Sequence, residues 1–274
     1  MAAPSAQPIL QFVGVTVKFE EMDVLSDLSF SAYEGESRVI FGAAGSGKTV
    51  LLKTALGLIK PDEGKVYAFG KDLTLMTERE LFEVRSRMGM LFQESALFDS
   101  LTIEENVAYP LVNQKSIQCP KAEVLPRVTE ALEFVELGQT LEKYPSELSG
   151  GMRRRAAIAR AVVTGPPLVL YDSPTAGLDP ITAHTIIALL IKERDISQTT
   201  AVIVTHRYQD GNLVANFRYN SKQGTLEPVR HGDRQAARTT FMVLKEGRLV
   251  FEGDQDRLES STDPYICKFV KQRE

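Results

Sequence analysis

Residues 42–49 read Gly42-Ala43-Ala44-Gly45-Ser46-Gly47-Lys48-Thr49, set between a short apolar run that ends at Phe41 and a segment of helical spacing that begins at Val50. Glycines at this density let the backbone curl so that successive N–H groups point inward, and the helix that follows adds its positive N-terminal end. That arrangement is a cradle for phosphate oxygens. Lys48 is placed to reach the β- and γ-phosphates of a bound nucleotide, and the Thr49 hydroxyl to bind Mg²⁺. Strand, glycine loop and helix together predict the opening unit of an α/β fold built on a parallel sheet.

Working outward, other apolar runs end in the same way. Residues 168–171 end at Asp172, and residues 201–204 end at Thr205-His206. In parallel α/β sheets the carboxyl ends of the strands open into the ligand crevice, so polar residues there converge on one site. Asp172 reads either as a carboxylate in a magnesium shell or as a helix N-cap. Gln93, just after the Met90-Leu91-Phe92 run, offers an amide oxygen to metal or water; taken alone it reads as a solvated loop glutamine.

Ahead of the glycine loop, strands are expected over residues 9–17, 28–33 and 37–41, and a helix follows over 50–59 up to Lys60-Pro61. A strand over 64–70, a helix over 78–86 and a short strand over 89–92 come next, and helical patterns dominate 102–141, interrupted by Pro126. Helices over 152–163 and 181–194 flank the run at 168–171, and residues 241–251 turn over at Glu246-Gly247 like a hairpin. No internal repeat is present.

The chain has 274 residues, 43% of them hydrophobic, enough for one large domain. A net charge of −4 argues against a general affinity for nucleic-acid phosphates. Cys119 and Cys267 lie too far apart in sequence to suggest a disulfide framework or metal cluster. No apolar run approaches the roughly 20 residues a membrane helix needs, and the first residues lack the pattern of a secretory leader. Work at a membrane would therefore require a partner that spans it.

Leu148-Ser149-Gly150-Gly151-Met152, followed by residues 168–172, gives the ordered set its name. With Phe19, the glycine loop, Gln93, Ala176-Gly177-Leu178-Asp179 and His206, the chain resembles the ABC ATPase family over nearly its whole length. The resemblance implies a P-loop NTPase of ABC type: α/β, with a mixed sheet core, an N-terminal antiparallel β subdomain and a helical signature lobe. It implies that Phe19 stacks on adenine, that Gly42 to Thr49 together with Val50 bind ATP, and that Thr49, Gln93 and Asp172 hold Mg²⁺. Asp172, Ser173, Gln93 and His206 form the implied catalytic group, and Asp179 the D-loop. The implied assembly is a head-to-tail homodimer, each ATP lying between one subunit's phosphate loop and the other's Leu148, Ser149, Gly150, Gly151 and Met152.

Within the family, residues 95–111 and the Gly-Gly-Met-Arg-Arg-Arg run from Gly150 to Arg155 are similar to the ATP-binding subunits of Mce/Mla-type lipid transporters. That similarity implies an integral-membrane permease partner and a peripheral place on the cytoplasmic face of the inner membrane. It also implies work on phospholipid moving between two membranes, although the arginines read equally as a solvated helix face.

Two departures stand out. The family keeps a glutamate after the Asp172 position, and here the residue is Ser173. A hydroxyl orients water but is a poor proton acceptor, and loss of a positioned base costs about 10² to 10⁴ in rate. Slow hydrolysis is expected, carried by His206 and the Mg²⁺ shell, unless Glu94 or Asp179 serves instead. The second departure is a polar insertion over 207–240 with six basic and three acidic residues, where the family has a short helix. Residues 213–219 and 225–229 are expected to form a hairpin in it, read either as solvated surface or as a docking face for a partner or lipid headgroups.

The expected organisation is a single domain: residues 1–92 as β subdomain and phosphate-loop core, 93–160 as helical lobe, 161–206 as core, 207–240 as insertion and 241–274 as hairpin and tail. A chromosome-structure ATPase would need a long heptad insertion, and a translation-associated one a second cassette; the chain has neither. A nucleotide-gated regulatory subunit with little turnover remains the alternative, favoured by Ser173.

Overall fold

A computed structural model describes residues 7–20, 22–114, 116–229 and 239–270. β1 (Leu10–Phe19) and β2 (Met22–Ala32) pair antiparallel and lead into β3 (Ser37–Phe41), every residue of which is buried. α1 (Lys48–Ala55) starts directly at Gly47, whose φ of 101° and close approach to the Val24 carbonyl admit no side chain. β4 (Glu63–Ala68) and β5 (Lys71–Asp72) complete a four-stranded antiparallel sheet in the order β2-β1-β4-β5. α2 (Glu78–Arg85) begins with a capping box of Thr77 and Glu80, and β6 (Met88–Leu91) follows it.

The helical lobe consists of α3 (Ile103–Asn113), α4 (Lys121–Phe134) and α5 (Gly150–Val162). Thr102 and Glu105 form the capping box of α3, and Ser149 caps α5 by accepting from the Met152 N–H. Pro126 is carried inside a continuous α4, at the cost of the intrahelical bond its missing N–H would have made. The chain then returns to the core through β7 (Leu168–Asp172), α6 (Pro180–Ser197) and β8 (Thr200–Thr205).

The insertion differs from the expected hairpin. Residues 213–216 belong to a helix, α7 (Tyr208–Asn216), because Tyr208, Gly211, Val214 and Ala215 repeat at helical spacing and are buried. The hairpin is shorter, β9 (Phe217–Asn220) with β10 (Thr225–Pro228), and it lies against α6. Arg194 donates to the Val214 and Phe217 carbonyls, and the Tyr219 N–H donates to Asp195. Residues 230–238 of the insertion lie outside the described residues. β11 (Thr239–Lys245) and β12 (Arg248–Gly253) form the expected hairpin, and the tail folds as α8 (Gln255–Glu259) and α9 (Pro264–Val270).

The central sheet runs β12-β11-β3-β8-β7-β6, parallel from β11 to β6 with β12 antiparallel at the edge. Its interior strands β3, β8 and β7 are buried along their whole length, as a sheet covered on both sides requires. Val39, Phe41, Val169, Tyr171, Ile203 and Phe241 enter one core with the helical lobe, α6 and α7. Ile40, Leu168, Leu170, Val202, Val204 and Met242 enter a second core against α1 and the N-terminal sheet. The parallel alignment leaves the carboxyl ends of β11, β3, β8, β7 and β6 on one edge, where the phosphate loop, Asp172 and His206 lie.

Candidate functional site

Strand register brings the loaded ends together. Phe41 pairs with Thr205, Asp172 with Val204, and Leu91 with Tyr171, so Gly42, Asp172, His206 and Gln93 leave the sheet at one level. The Lys48 ammonium donates to the Gly42 and Ala43 carbonyls, each at 2.7 Å. Burial lowers its pKa, while the Asp172 carboxylate pulls the other way. Thr49 Oγ1 donates to Asp172 Oδ2 at 2.8 Å, which joins the first residues of α1 to the end of β7.

A phosphate chain with Mg²⁺ fits this donor set. Gly45 has a φ of 77° with open space where a Cβ would stand, the form of a loop whose amides curl around an anion. Mg²⁺ is held by one or two protein oxygens together with phosphates and waters, and Thr49 with Asp172 supply that number. Among the described residues no cluster of three or more His, Cys, Asp or Glu is placed to hold a metal, so phosphates would have to complete the shell.

Ser173 is buried, with a φ of 47°, and its hydroxyl donates to Asp172 Oδ1 at 3.1 Å. Its N–H donates to the Val204 carbonyl, so the backbone continues the sheet for one more residue. Asp172 therefore accepts from Thr49 on one oxygen and from Ser173 on the other. His206 and Gln93 are exposed at the rim, and Phe19, about half exposed, ends β1.

One donor of the phosphate loop is already engaged. The Ala43 N–H donates to the Tyr265 hydroxyl at 3.1 Å. Val50 lies in the first turn of α1, half-buried.

The second set of motif residues lies apart from the first and faces solvent. Leu148 is buried under the helical lobe, Ser149 and Gly150 are exposed, and Gly151 and Met152 are half-buried at the start of α5. Asp179 is exposed and N-caps α6, accepting from the Ile181 and Thr182 N–H groups at 3.0 Å. Hydrogen bonds from Thr182 and then Ile181 hold its carboxyl below the ordinary range.

Sequence reasoning missed Asp210, which accepts from Thr175 Oγ1 and Thr205 Oγ1, each at 2.7 Å, with Arg207 Nε at 3.8 Å. It fastens the segment after Ser173 to the residue before His206. Burial raises its pKa against these partners. The readable signal was an acid at the third position of α7, where helix starts favour a carboxylate. Arg154 was read only as part of a charged run. It is buried and donates to the Phe92 carbonyl at 2.9 Å and the Ala176 carbonyl at 3.4 Å, tying α5 to the segments leading to Gln93 and Asp179.

A family model described as ABC transporter matches residues 25–176. The chain is 31% identical over 265 residues to the intermembrane phospholipid transport system ATP-binding protein MlaF of Haemophilus influenzae, across 97% of this chain and 91% of that protein. It is 36% identical over 264 residues to the probable ribonucleotide transport ATP-binding protein mkl of Mycobacterium leprae, across 96% of this chain and 69% of that one. Among solved structures, a dimeric, post-hydrolysis ATP-binding cassette bound to ADP and Pi superposes with a TM-score of 0.73 at 30% identity, over 89% of this chain and 98% of the other.

Proposed function

This chain belongs to the ABC transporter family as an ATP-binding, ATP-hydrolysing subunit, and we propose that it energises phospholipid movement through a permease of Mce/Mla type. The observation that carries the nucleotide reading is the junction of Lys48, Thr49 and Asp172 at the mouth of the phosphate loop, with Thr49 at 2.8 Å from Asp172. The lipid assignment is supported by the 31% identity to MlaF and by the Met-Arg-Arg-Arg run of α5. Among the described residues no helix is long and apolar enough to cross a membrane, so the membrane path belongs to the partner. A cleft of about 400 Å³ beside Gln93, lined by Met88, Met90, Phe92, Phe98, Tyr109 and Pro110 among others, is the surface we assign to the permease.

In the reaction, water attacks the γ-phosphorus and ADP leaves. Lys48 holds the β- and γ-phosphate oxygens, and His206 at the rim reaches the γ-phosphate. Thr49 and Asp172, with Gln93 as a further candidate, would hold Mg²⁺, which would neutralise charge developing on the phosphate oxygens. The other face is Ser149, Gly150 and Gly151 of a second copy, whose α5 N-terminus offers N–H groups and a positive dipole end.

Turnover is slow in this reading. The Ser173 hydroxyl points at Asp172 rather than standing free to take a proton from water, and Asp179 is engaged as a helix cap. A regulatory subunit that binds ATP with little turnover is the second reading, favoured by that same Ser173 geometry. ATPase turnover of the Ser173→Glu variant in the assembled transporter tests both. A rise of about tenfold or more is expected, since a positioned base contributes about 10² to 10⁴. An unchanged or lower rate would sink the idea that serine limits the chemistry.

A further inference from the structure

We propose that the C-terminal helix is part of the nucleotide machinery, with Tyr265 as a positioning residue for the phosphate loop. The inference rests on the reading that residues 42–49 bind ATP. Its centre is one peptide plane, that between Gly42 and Ala43. The carbonyl of that plane accepts from the Lys48 ammonium at 2.7 Å, and its N–H donates to the Tyr265 hydroxyl at 3.1 Å. A trans peptide is rigid, and its C=O and N–H point in opposite directions, so a group that fixes one end orients the other. Tyr265 therefore sets the plane on which the Lys48 ammonium rests.

The tyrosine is itself held on several sides. Its hydroxyl donates to the Leu244 carbonyl at 3.1 Å, the same oxygen that lies 2.7 Å from where a Cβ on Gly42 would stand. Its ring meets Phe269 edge-on at 5.3 Å, and Phe269 stacks on Phe41, the last residue before the loop, at 6.1 Å. The Gly247 N–H, at the β11–β12 turn, donates to the Ser46 carbonyl at 3.2 Å. The preceding helix reaches the other loop of the site: Gln255 Nε2 donates to the Tyr208 hydroxyl and to Asn212 Oδ1, each at 2.9 Å, on the α7 helix that follows His206. The tail thus spans the backs of the phosphate loop and the His206 segment.

The test compares Tyr265→Phe, Phe269→Leu and Lys48→Ala in the full chain assembled with its permease, reading the KM for ATP, kcat and Tm. Tyr265→Phe keeps the ring and removes a hydroxyl that accepts from Ala43 and donates to Leu244, so KM is expected to rise about three- to tenfold while kcat stays within about twofold and Tm falls by no more than about 4 °C. Phe269→Leu removes the ring that packs on the tyrosine but keeps the hydroxyl, and is expected to lower Tm with a KM rise smaller than that of Tyr265→Phe. Equal KM shifts in these variants, or an unchanged KM in Tyr265→Phe, would overturn the positioning role. Lys48→Ala separates the failures: if it binds ATP like the parent, the nucleotide reading fails; if it alone loses ATP, only the Tyr265 inference fails.

Discussion

On the phosphate-loop side of the site, Lys48, Thr49, Asp172 and Ser173 are bonded to one another or to the loop itself, whereas on the signature side Ser149 and Asp179 cap only their own helices and face solvent. The glycines make the contrast sharper. A Cβ on Gly151 would meet Thr182 Cγ2 at 2.6 Å, so the chain itself accounts for that glycine. A Cβ on Gly150 would meet nothing within 4 Å, and its backbone angle is ordinary. No intrachain contact requires Gly150, and a glycine in the first turn of a helix costs stability relative to alanine. In the proposed head-to-tail pair, this open stretch of backbone is where the second copy's nucleotide would approach closely.

Breaking the phosphate-loop side has the largest expected effect. Lys48→Ala removes the ammonium that gathers the loop carbonyls, and charge-assisted bonds to phosphate contribute about 1.5–3 kcal/mol each. ATP affinity measured on the isolated chain should fall about 10²-fold or more, with turnover lost; affinity within about threefold of the parent would show that this side is not the phosphate site. Breaking the open side should leave that binding untouched. Gly150→Val places methyl groups in open space, so Tm and single-chain ATP affinity should hold while turnover in the assembled complex falls about 10²-fold, the scale of losing a preorganised donor surface. A variant with parental turnover would mean that no second copy packs on Gly150.

The two sides were not equally legible in sequence. The phosphate loop is consecutive, and its flanking strands are buried on both faces, so runs such as Ser37–Phe41 and Thr200–Thr205 announce themselves. The exposed motif at residues 148–152 was readable only through its resemblance, since a half-site has no local packing signature. What failed was of two kinds. α7 carries Gln209, Asp210, Gly211 and Asn212 in its first turns, letters that read as loop, while its burial comes from Tyr208 and Val214 packing on the sheet. Asp210 and Tyr265 act across 35 and 222 residues of sequence, on Thr175 and Ala43, and periodicity carries no information at such separations. Short tail helices such as Gln255–Glu259 complete little more than one turn, too little for a repeating pattern.

Asp210 sits where the two sides join, and the smallest expected effect sharpens how. Through Thr175 it holds the segment leading to Asp179, and through Thr205 the segment leading to His206. Burial raises its carboxyl, while the hydroxyls of Thr175 and Thr205 and the charges of Arg207 and His206 pull the other way. A folded-state pKa above the unfolded one means that the protonated form stabilises the fold: the contribution is complete below the ordinary carboxylate value and is lost as pH rises through the folded value. Asp210→Asn keeps an acceptor oxygen for the threonine hydroxyls and removes the titration. The Tm of the parent minus that of the variant should therefore be largest below the ordinary carboxylate range and shrink as the pH rises through the folded value. A difference that grows toward neutral pH would instead mean that the Arg207 pairing outweighs burial and that the join between the two sides is an ion pair.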